Sequence, residues 1–384
     1  MKTLKRKIFK HAYVSLLRIF PIKKDKIVFC NFSGRGYGDN PKYIAEEIHA
    51  RNLNIDMVWL CADKSAIFPA YIRPVKMWSL RHYFELATAG AIVSNVRINL
   101  GVEKRKKQTY LQTWHAPFSP KRLEGEALDT LKKEYIISAK HDGAITDGIL
   151  SNSYLLDEQY KRAFWLDKNS EILQIGLPRN DFLVNNANNV GLITTIRTKF
   201  KIPSDAYVVL YAPTFRDDYT TDGYKLNFDG IREAFEARFG KPCWILIRLH
   251  PNARRQVNKM KFTSRIIDAT SYPDIQELSI ASDAVISDYS SSVFDFSTIG
   301  KPAFICALDL QHYAETRGLL DEFYKFPFPF SESNVGLIEQ INNFDETKYQ
   351  KKIEDYFSKN PIYDKGNAAK KAVDWLLNKM KERL

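Results

Sequence analysis

Short apolar runs of strand length alternate with stretches long enough for a helix, and this rhythm starts twice. In the first half IVFCNF (27–32), DMVWLCA (56–62), AIVSN (91–95), TYLQTWH (109–115), GAIT (143–146) and EILQIG (171–176) read as strands, with a helix over Pro41 to Arg51. In the second half YVVLYAPT (207–214), WILIRLHP (244–251), RIIDAT (265–270), AVISDYS (284–290) and PAFICA (302–307) read the same way, with helices near 230–238, 275–281 and 291–299. Runs that are apolar throughout suit parallel strands buried on both faces, and the interleaved helices supply the cover. The expected class is α/β, with two doubly wound units facing across a cleft. The polar stretch VNNANNVG (184–191) marks the join, which gives units of 25–190 and 191–384. Helices near 334–343 and 362–383 are expected to cross back to the first unit. Each unit is long enough to bury a full core.

Residues 1–24 stand apart. Leu4, Ile8, Val14 or Tyr13, Leu17 and Phe20 share one side of a helix over 3–20, against Lys5, Arg6, Lys7, Lys10 and Arg18. The chain carries a net charge of +12, which calls for an acidic partner. A basic amphipathic helix is suited to an anionic membrane surface; the plainer alternative is a terminal helix packed on its own domain. No apolar run reaches spanning length and the start makes a poor signal peptide, so a peripheral place on the cytoplasmic face of the membrane is expected. Basic residues are spread along the chain without an aromatic RNA-binding motif, so nucleic acid is not expected as a partner. The four cysteines are scattered without metal-ligand spacing, and neither a metal nor a cofactor is expected.

Ligands of α/β sheets bind outside the carboxyl ends of the strands. Four segments there carry chemistry. Ser287-Asp288-Tyr289-Ser290-Ser291-Ser292-Val293-Phe294-Asp295 joins a strand to a helix, where hydroxyls and free N–H groups suit a pyrophosphate. Arg248-Leu249-His250 ends another strand: the guanidinium can grip phosphate oxygens, and the histidine can donate to a phosphate or move a proton. Gln112-Thr113-Trp114-His115 ends a strand of the first unit, and His115 is placed to act as general base for an incoming hydroxyl. Thr214 and Arg216, in YAPTFR, touch phosphate or acceptor, or else form a plain strand exit. The glycine-rich Gly34-Arg35-Gly36-Tyr37-Gly38 lacks dinucleotide spacing and reads as an acceptor-facing loop or a simple connection.

Taken in order, QTWHAPFSP, YAPTFR, RLHP and SDYSSSVFD, with NPKYIAEEI after the first strand, resemble the CDP-glycerol glycerophosphotransferases of teichoic-acid biosynthesis over roughly residues 25–325. The resemblance implies a GT-B fold of two Rossmann-like domains, with the donor in the C-terminal one and the acceptor near the N-terminal one. It implies that His115 is the base, that Arg248 and His250 sit at the donor phosphates, and that Ser290, Ser291 and Ser292 surround the pyrophosphate. Asp288 and Asp295 match acidic positions of the turn, the second as a ribose ligand. The expected partners are CDP-glycerol or another CDP-polyol as donor and a lipid-linked acceptor. The family's G-T-P after the histidine is replaced here by Ala116-Pro117-Phe118-Ser119-Pro120, so the loop around the acceptor hydroxyl is expected to be rebuilt. A nucleotide-sugar glycosyltransferase of the same fold and a non-catalytic polyanion binder are the competing expectations.

Overall fold

The computed structural model describes residues 13–63, 66–98, 103–216, 222–250, 253, 257 and 260–383. Two all-parallel sheets organise them. The first collects β1 (Lys23–Cys30), β2 (Asp56–Cys61), β3 (Arg73–Lys76), β4 (Ala89–Ser94), β5 (Thr109–Gln112), β6 (Gly148–Ser151) and β7 (Glu171–Gln174) in the order 3-2-1-4-5-6-7. The second collects β8 (Tyr207–Tyr211), β9 (Cys243–Ile247), β10 (Ile266–Asp268), β11 (Ala284–Ser287), β12 (Ala303–Cys306) and β13 (Phe330–Ser331) in the order 10-9-8-11-12-13. The strand order therefore reverses between β1 and β4 in one sheet and between β8 and β11 in the other. These are the points where such sheets open a crevice.

The helices, in chain order, are α1 (Asp39–Ala50), α2 (Leu80–Thr88), α3 (Lys133–Ile145), α4 (Tyr154–Ala163), α5 (Pro178–Asn186), α6 (Val190–Lys199), α7 (Phe228–Phe239), α8 (Ile275–Ala281), α9 (Ser292–Thr298), α10 (Leu310–Arg317), α11 (Asn334–Asn342), α12 (Glu346–Lys359) and α13 (Ala368–Arg383). The strands are apolar where both faces are covered, as in the Ile27–Cys30 part of β1, β8 and β11, whereas the start of β1, as well as β3 and β7, is more polar and partly exposed. Ile27, Phe29, Trp59 and Val93 pack with Ala372, Val373, Leu376 and Met380 of α13, while Val28, Cys30, Val58 and Ile92 pack on the opposite face with Leu86 of α2. The tail of the chain thus lies on the first sheet, whereas α11 packs its Leu337 and Ile341 into the core of the second.

Several elements differ from expectation. GAIT (143–146) is the end of α3, and the strand is the next run, GILS. A Cβ on Gly143 would lie 2.1 Å from the Phe164 carbonyl oxygen, so glycine is needed where α3 meets the chain at 164–165. Short apolar runs carry too few residues for their period to separate helix from strand. TYLQTWH stops being a strand at Gln112 because Trp114 turns away with φ 49°. β3 carries Pro74 on an edge, where no ladder donor is needed. Residues 1–12, which hold most of the helix expected over 3–20, lie outside the described residues. Residues 13–17 are helical, with Leu17 buried against Tyr83 and Ala87 of α2.

Candidate active site

The first half of the site is built where β1, β4 and β5 end. Asn95, directly after β4 and fully buried, ties the three exits together. Its Oδ1 accepts the Phe32 N–H at 2.8 Å, its Nδ2 donates to Asn31 Oδ1 at 2.8 Å, and its carbonyl oxygen lies 2.9 Å from His115 Nδ1. A carbonyl only accepts, so Nδ1 carries the imidazole proton and Nε2 keeps its lone pair. No described protein group bonds Nε2. Burial pushes the His115 pKa down to about 4; the Asn95 bond pulls it up, while Arg179 and Lys121 push it further down. The ring is therefore a neutral base across the whole physiological range.

The backbone that presents this imidazole is strained. Phe32 (φ 40°), Ser33 (φ 56°), Asp39 (φ 54°) and Trp114 (φ 49°) all take the left-handed conformation. Trp114 is held there by its N–H donating to Gln112 Oε1 at 2.9 Å and by its carbonyl accepting from Asn40 Nδ2 at 3.0 Å. The glycine-rich turn is equally fixed. Gly34 sits at φ 91°, where a Cβ would meet Met77 Sδ at 2.5 Å, and Trp59 Nε1 donates to the Gly36 carbonyl at 3.0 Å. Phe32, two residues before Gly34, packs edge-on against the His115 ring with centroids 5.3 Å apart.

The second half of the site lies where β8, β9 and β11 end. Here three of the expected substrate-binding residues, Arg216, Asp288 and Asp295, lie in buried ion pairs. Arg216, expected to touch phosphate or acceptor, and Asp288, expected as an acidic substrate-binding position of the turn, are paired with each other in the interior. Arg216 bonds Asp288 Oδ2 at 2.8 Å and Asp309 Oδ2 at 2.6 Å, with its guanidinium near the rings of Tyr224, Tyr289 and Tyr313. Both residues are 2% exposed, and a buried charge persists only when so paired. Asp288 Oδ1 also accepts the N–H groups of Thr214 and Tyr289, so the pair shapes the turns rather than lining the cleft. Asp295, expected as a ribose ligand, is likewise 3% exposed and bonds Arg179 through both oxygens, at 3.1 and 2.9 Å.

The remaining groups stay open. Arg248 is half-buried and donates to the Tyr272 carbonyl, with no described carboxylate within ion-pair distance; burial lowers its pKa, with Asp274 opposing. His250 is exposed, its ring 5.5 Å from that of Phe215. Ser291 opens α9 without a side-chain cap bond, and Ser290 Oγ accepts the Ser292 N–H at 3.3 Å. The Oγ of Ser292 and the Oγ1 of Thr214 are buried hydroxyls with no protein partner. A buried hydroxyl without a protein partner is uncommon in a native fold. Among the described residues, no three His, Cys, Asp or Glu are placed to hold a metal ion.

The two halves meet along a polar seam that the sequence did not suggest. Arg179, at the start of α5, donates its backbone N–H to Asn40 Oδ1 at 3.0 Å and its side chain to Asp295. Lys42 and Tyr43 of α1 reach Asp274, before α8, at 2.8 and 3.0 Å. The loop after His115 also crosses. Phe118 packs on Phe294 and Phe326, and the Pro120 carbonyl accepts the Leu320 N–H at 2.8 Å. Ala116-Pro117-Phe118-Ser119-Pro120 therefore docks on the second lobe. Asn95 ends the predicted strand AIVSN and Arg179 comes shortly after EILQIG, which is the one available signal; neither belongs to a run of chemically conspicuous residues.

Comparison with known proteins agrees with this geometry. Residues 12–378 match the family model described as CDP-Glycerol:Poly(glycerophosphate) glycerophosphotransferase. The chain is 32% identical over 380 residues to a teichoic acid poly(glycerol phosphate) polymerase of Staphylococcus epidermidis, covering 94% of this chain and 52% of that protein. It thus spans about half the length of that relative. A teichoic acid glycerol-phosphate transferase of Staphylococcus aureus is 29% identical, over 89% of this chain and 90% of its own. The solved structure of the wall teichoic acid polymerase TagF superposes with a TM-score of 0.85 at 30% identity, covering 100% of this chain and 97% of that one. Two Rossmann-like sheets in the GT-B manner, the three motifs at their carboxyl edges and a family match across nearly the whole length converge: the chain belongs to the CDP-glycerol:poly(glycerophosphate) glycerophosphotransferase family.

Proposed function

We propose that the protein transfers glycerol phosphate from CDP-glycerol to a hydroxyl of a lipid-linked saccharide or polyol-phosphate chain, in the synthesis of a teichoic-acid-like or capsule-like polymer. His115 Nε2 takes the proton of the acceptor hydroxyl. The freed oxygen attacks the β-phosphorus of the donor, a new P–O bond forms, and the bond to the bridging oxygen breaks to release CMP. Arg248, His250 and the hydroxyls of Thr214, Ser290, Ser291 and Ser292 meet the charge that gathers on the phosphate oxygens. Arg216, Asp288 and Asp295 hold the turns that carry those groups. The observation that carries this assignment is the His115 ring itself: a neutral imidazole, bonded through Nδ1 to a carbonyl, with a bare Nε2.

The acceptor's lipid places the enzyme on a membrane. In support, Leu16, Ile19 and Phe20 are exposed in a segment that packs on α2 through Leu17 and Phe20 and bonds the Leu80 carbonyl through Tyr13, and Trp78, Leu80, Arg18, Lys23, Lys24 and Arg81 are exposed too. Among the described residues no helix is long and apolar enough to span a bilayer, so the contact is interfacial. Deleting residues 1–20 is expected to weaken binding to anionic liposomes and to spare turnover of a soluble acceptor. Full liposome binding by the truncated chain would remove the membrane assignment.

A donor panel tests the reaction. CDP-glycerol, CDP-ribitol and UDP- and GDP-sugars are each incubated with acceptor, and the products are weighed. Addition of one glycerol phosphate per CMP released is the expected result. Transfer of a sugar from a UDP or GDP donor would overturn the assignment.

A further inference from the structure

The base and the donor turn belong to different lobes, so a reaction between them requires the lobes to keep a fixed register. One residue touches both sides. Arg179 caps nothing in its own helix: α5 starts at Pro178, and Arg179 spends its backbone N–H on Asn40 Oδ1 at 3.0 Å. Asn40 Nδ2 in turn donates to the carbonyls of Thr113, at 3.3 Å, and Trp114, at 3.0 Å. Trp114 is the strained residue directly before His115. On the other side the Arg179 guanidinium holds both oxygens of Asp295, at 3.1 and 2.9 Å, one helical turn into α9 behind Ser291 and Ser292. Asp39 of α1 stands 3.9 Å from the same guanidinium, and Gln276 of α8 donates to the Arg179 carbonyl at 3.3 Å.

This arrangement is more specific than a generic interface contact. Arg179, Asn40 and Asp295 are all more than nine-tenths buried. Arg179 Nη2 reaches both oxygens of Asp295 while Nη1 faces Asp39 3.9 Å away, so one buried guanidinium lies between carboxylates of the two lobes. The chain of bonds runs Trp114 carbonyl to Asn40 to Arg179 to Asp295 without a solvent-exposed link. The two reactive turns are thereby fastened to opposite ends of one short polar strut.

Resting on the transfer proposed above, we infer that Arg179 is a positioning residue: with Asn40 it locks the His115 turn of the first lobe to the α9 turn of the second, so that the base and the donor phosphate meet in one geometry. Arg179 need not touch either substrate for this. Misplacing reacting groups by about 1 Å is enough to lose roughly 10²-fold in rate. The predicted signature is a loss of kcat without a matching loss of donor affinity.

The test uses the full chain with Arg179→Met, Arg179→Lys and Asn40→Ser, together with His115→Ala. Thermal unfolding confirms that each variant is folded, titration calorimetry reads CDP-glycerol affinity, and CMP release with acceptor gives kcat. Arg179→Met is expected to lose about 10²-fold in kcat while binding CDP-glycerol within about threefold of wild type. Arg179→Lys should recover part of the loss, since it restores the charge but not the planar head that lies between Asp295 and Asp39. Asn40→Ser leaves the Arg179–Asp295 ion pair in place and removes the amide that joins the Arg179 N–H to the Thr113 and Trp114 carbonyls; a fall of about tenfold in kcat is expected, and it carries the test if the Met variant does not fold. Wild-type kcat in a folded Arg179→Met or Asn40→Ser would overturn the clamp, as would donor affinity falling in step with kcat. If His115→Ala is inactive while the clamp variants turn over normally, only the clamp fails. If His115→Ala is also fully active, the transfer reading itself fails.

Discussion

The two sheets share one strand order, yet the crevices at their switch points are furnished in opposite ways. On the first, the exits of β1, β4 and β5 are strained and cross-braced: Phe32, Ser33, Asp39 and Trp114 take positive φ, and Asn95 binds three exits at once. Each such residue costs on the order of 1–3 kcal/mol and persists only where the surroundings over-determine it. On the second, no described non-glycine residue after Lys201 has positive φ. Strain is replaced there by a buried scaffold, Arg216 with Asp288 and Asp309, beneath groups that remain unsatisfied: Arg248 without a carboxylate, and Thr214 and Ser292 with orphan hydroxyls. The difference suits the tasks proposed for the two crevices. A general base needs one tautomer aimed at one proton, whereas a diphosphate is recognised by several donors around diffuse charge.

The comparison is broken most sharply by substituting one lobe at a time. His115→Ala should lower kcat by about 10² to 10⁴ while leaving CDP-glycerol binding intact, read by CMP release and calorimetry on one preparation. Arg248→Met or His250→Ala should instead lose both. Removing a charged donor to phosphate costs about 1.5–3 kcal/mol, hence roughly 10- to 100-fold in donor affinity, with turnover falling as well. Thr214→Val and Ser292→Ala remove hydroxyls that have no partner in the free protein. Donor affinity should drop about fivefold for each, whereas thermal stability should hold or rise, because an unsatisfied buried group is deleted.

The pH dependence sharpens the same contrast. His115 is lowered to about 4 by burial, so it remains the free base as pH falls through the ordinary imidazole range near 6.5. The acid limb of kcat/KM assigned to the base should therefore lie well below 6.5. A midpoint at or above 6.5 that vanishes in His115→Ala would show the ring to be less desolvated than described. The same sign applies to stability: a histidine whose folded pKa is lowered contributes against the folded state once pH drops below about 6.5 towards 4.

Much of this was legible in the sequence, for stated physical reasons. Strand segments buried on both faces are largely apolar, so Ile27–Cys30 of β1, and β4, β8 and β11, stood out without any structure. His115, Arg248, His250 and the serine turn fall at strand exits, where the alternation of strand and helix predicts ligand contact. The roles of Arg216, Asp288 and Asp295 were not legible, because a charged residue beside a phosphate and one paired in the interior look alike until the partners, Asp309 and Arg179, are brought from 93 and 116 residues away. Asn95 and Asn40 were hidden for a related reason: an asparagine acts through both ends of one amide, and neither end shows in a pattern. GAIT failed on period, being too short to have one.

The central claim is that the two imidazoles do different work from opposite lobes, His115 moving the proton and His250 holding the phosphate. Adding free imidazole to His115→Ala and His250→Ala, with CDP-glycerol and acceptor saturating, tests this most directly. A base replaced by a small cavity can be served by a diffusing one, so turnover of His115→Ala should rise with imidazole concentration while His250→Ala stays flat. An equal response of the two variants, whether both rise or neither does, would contradict the division of labour between the lobes.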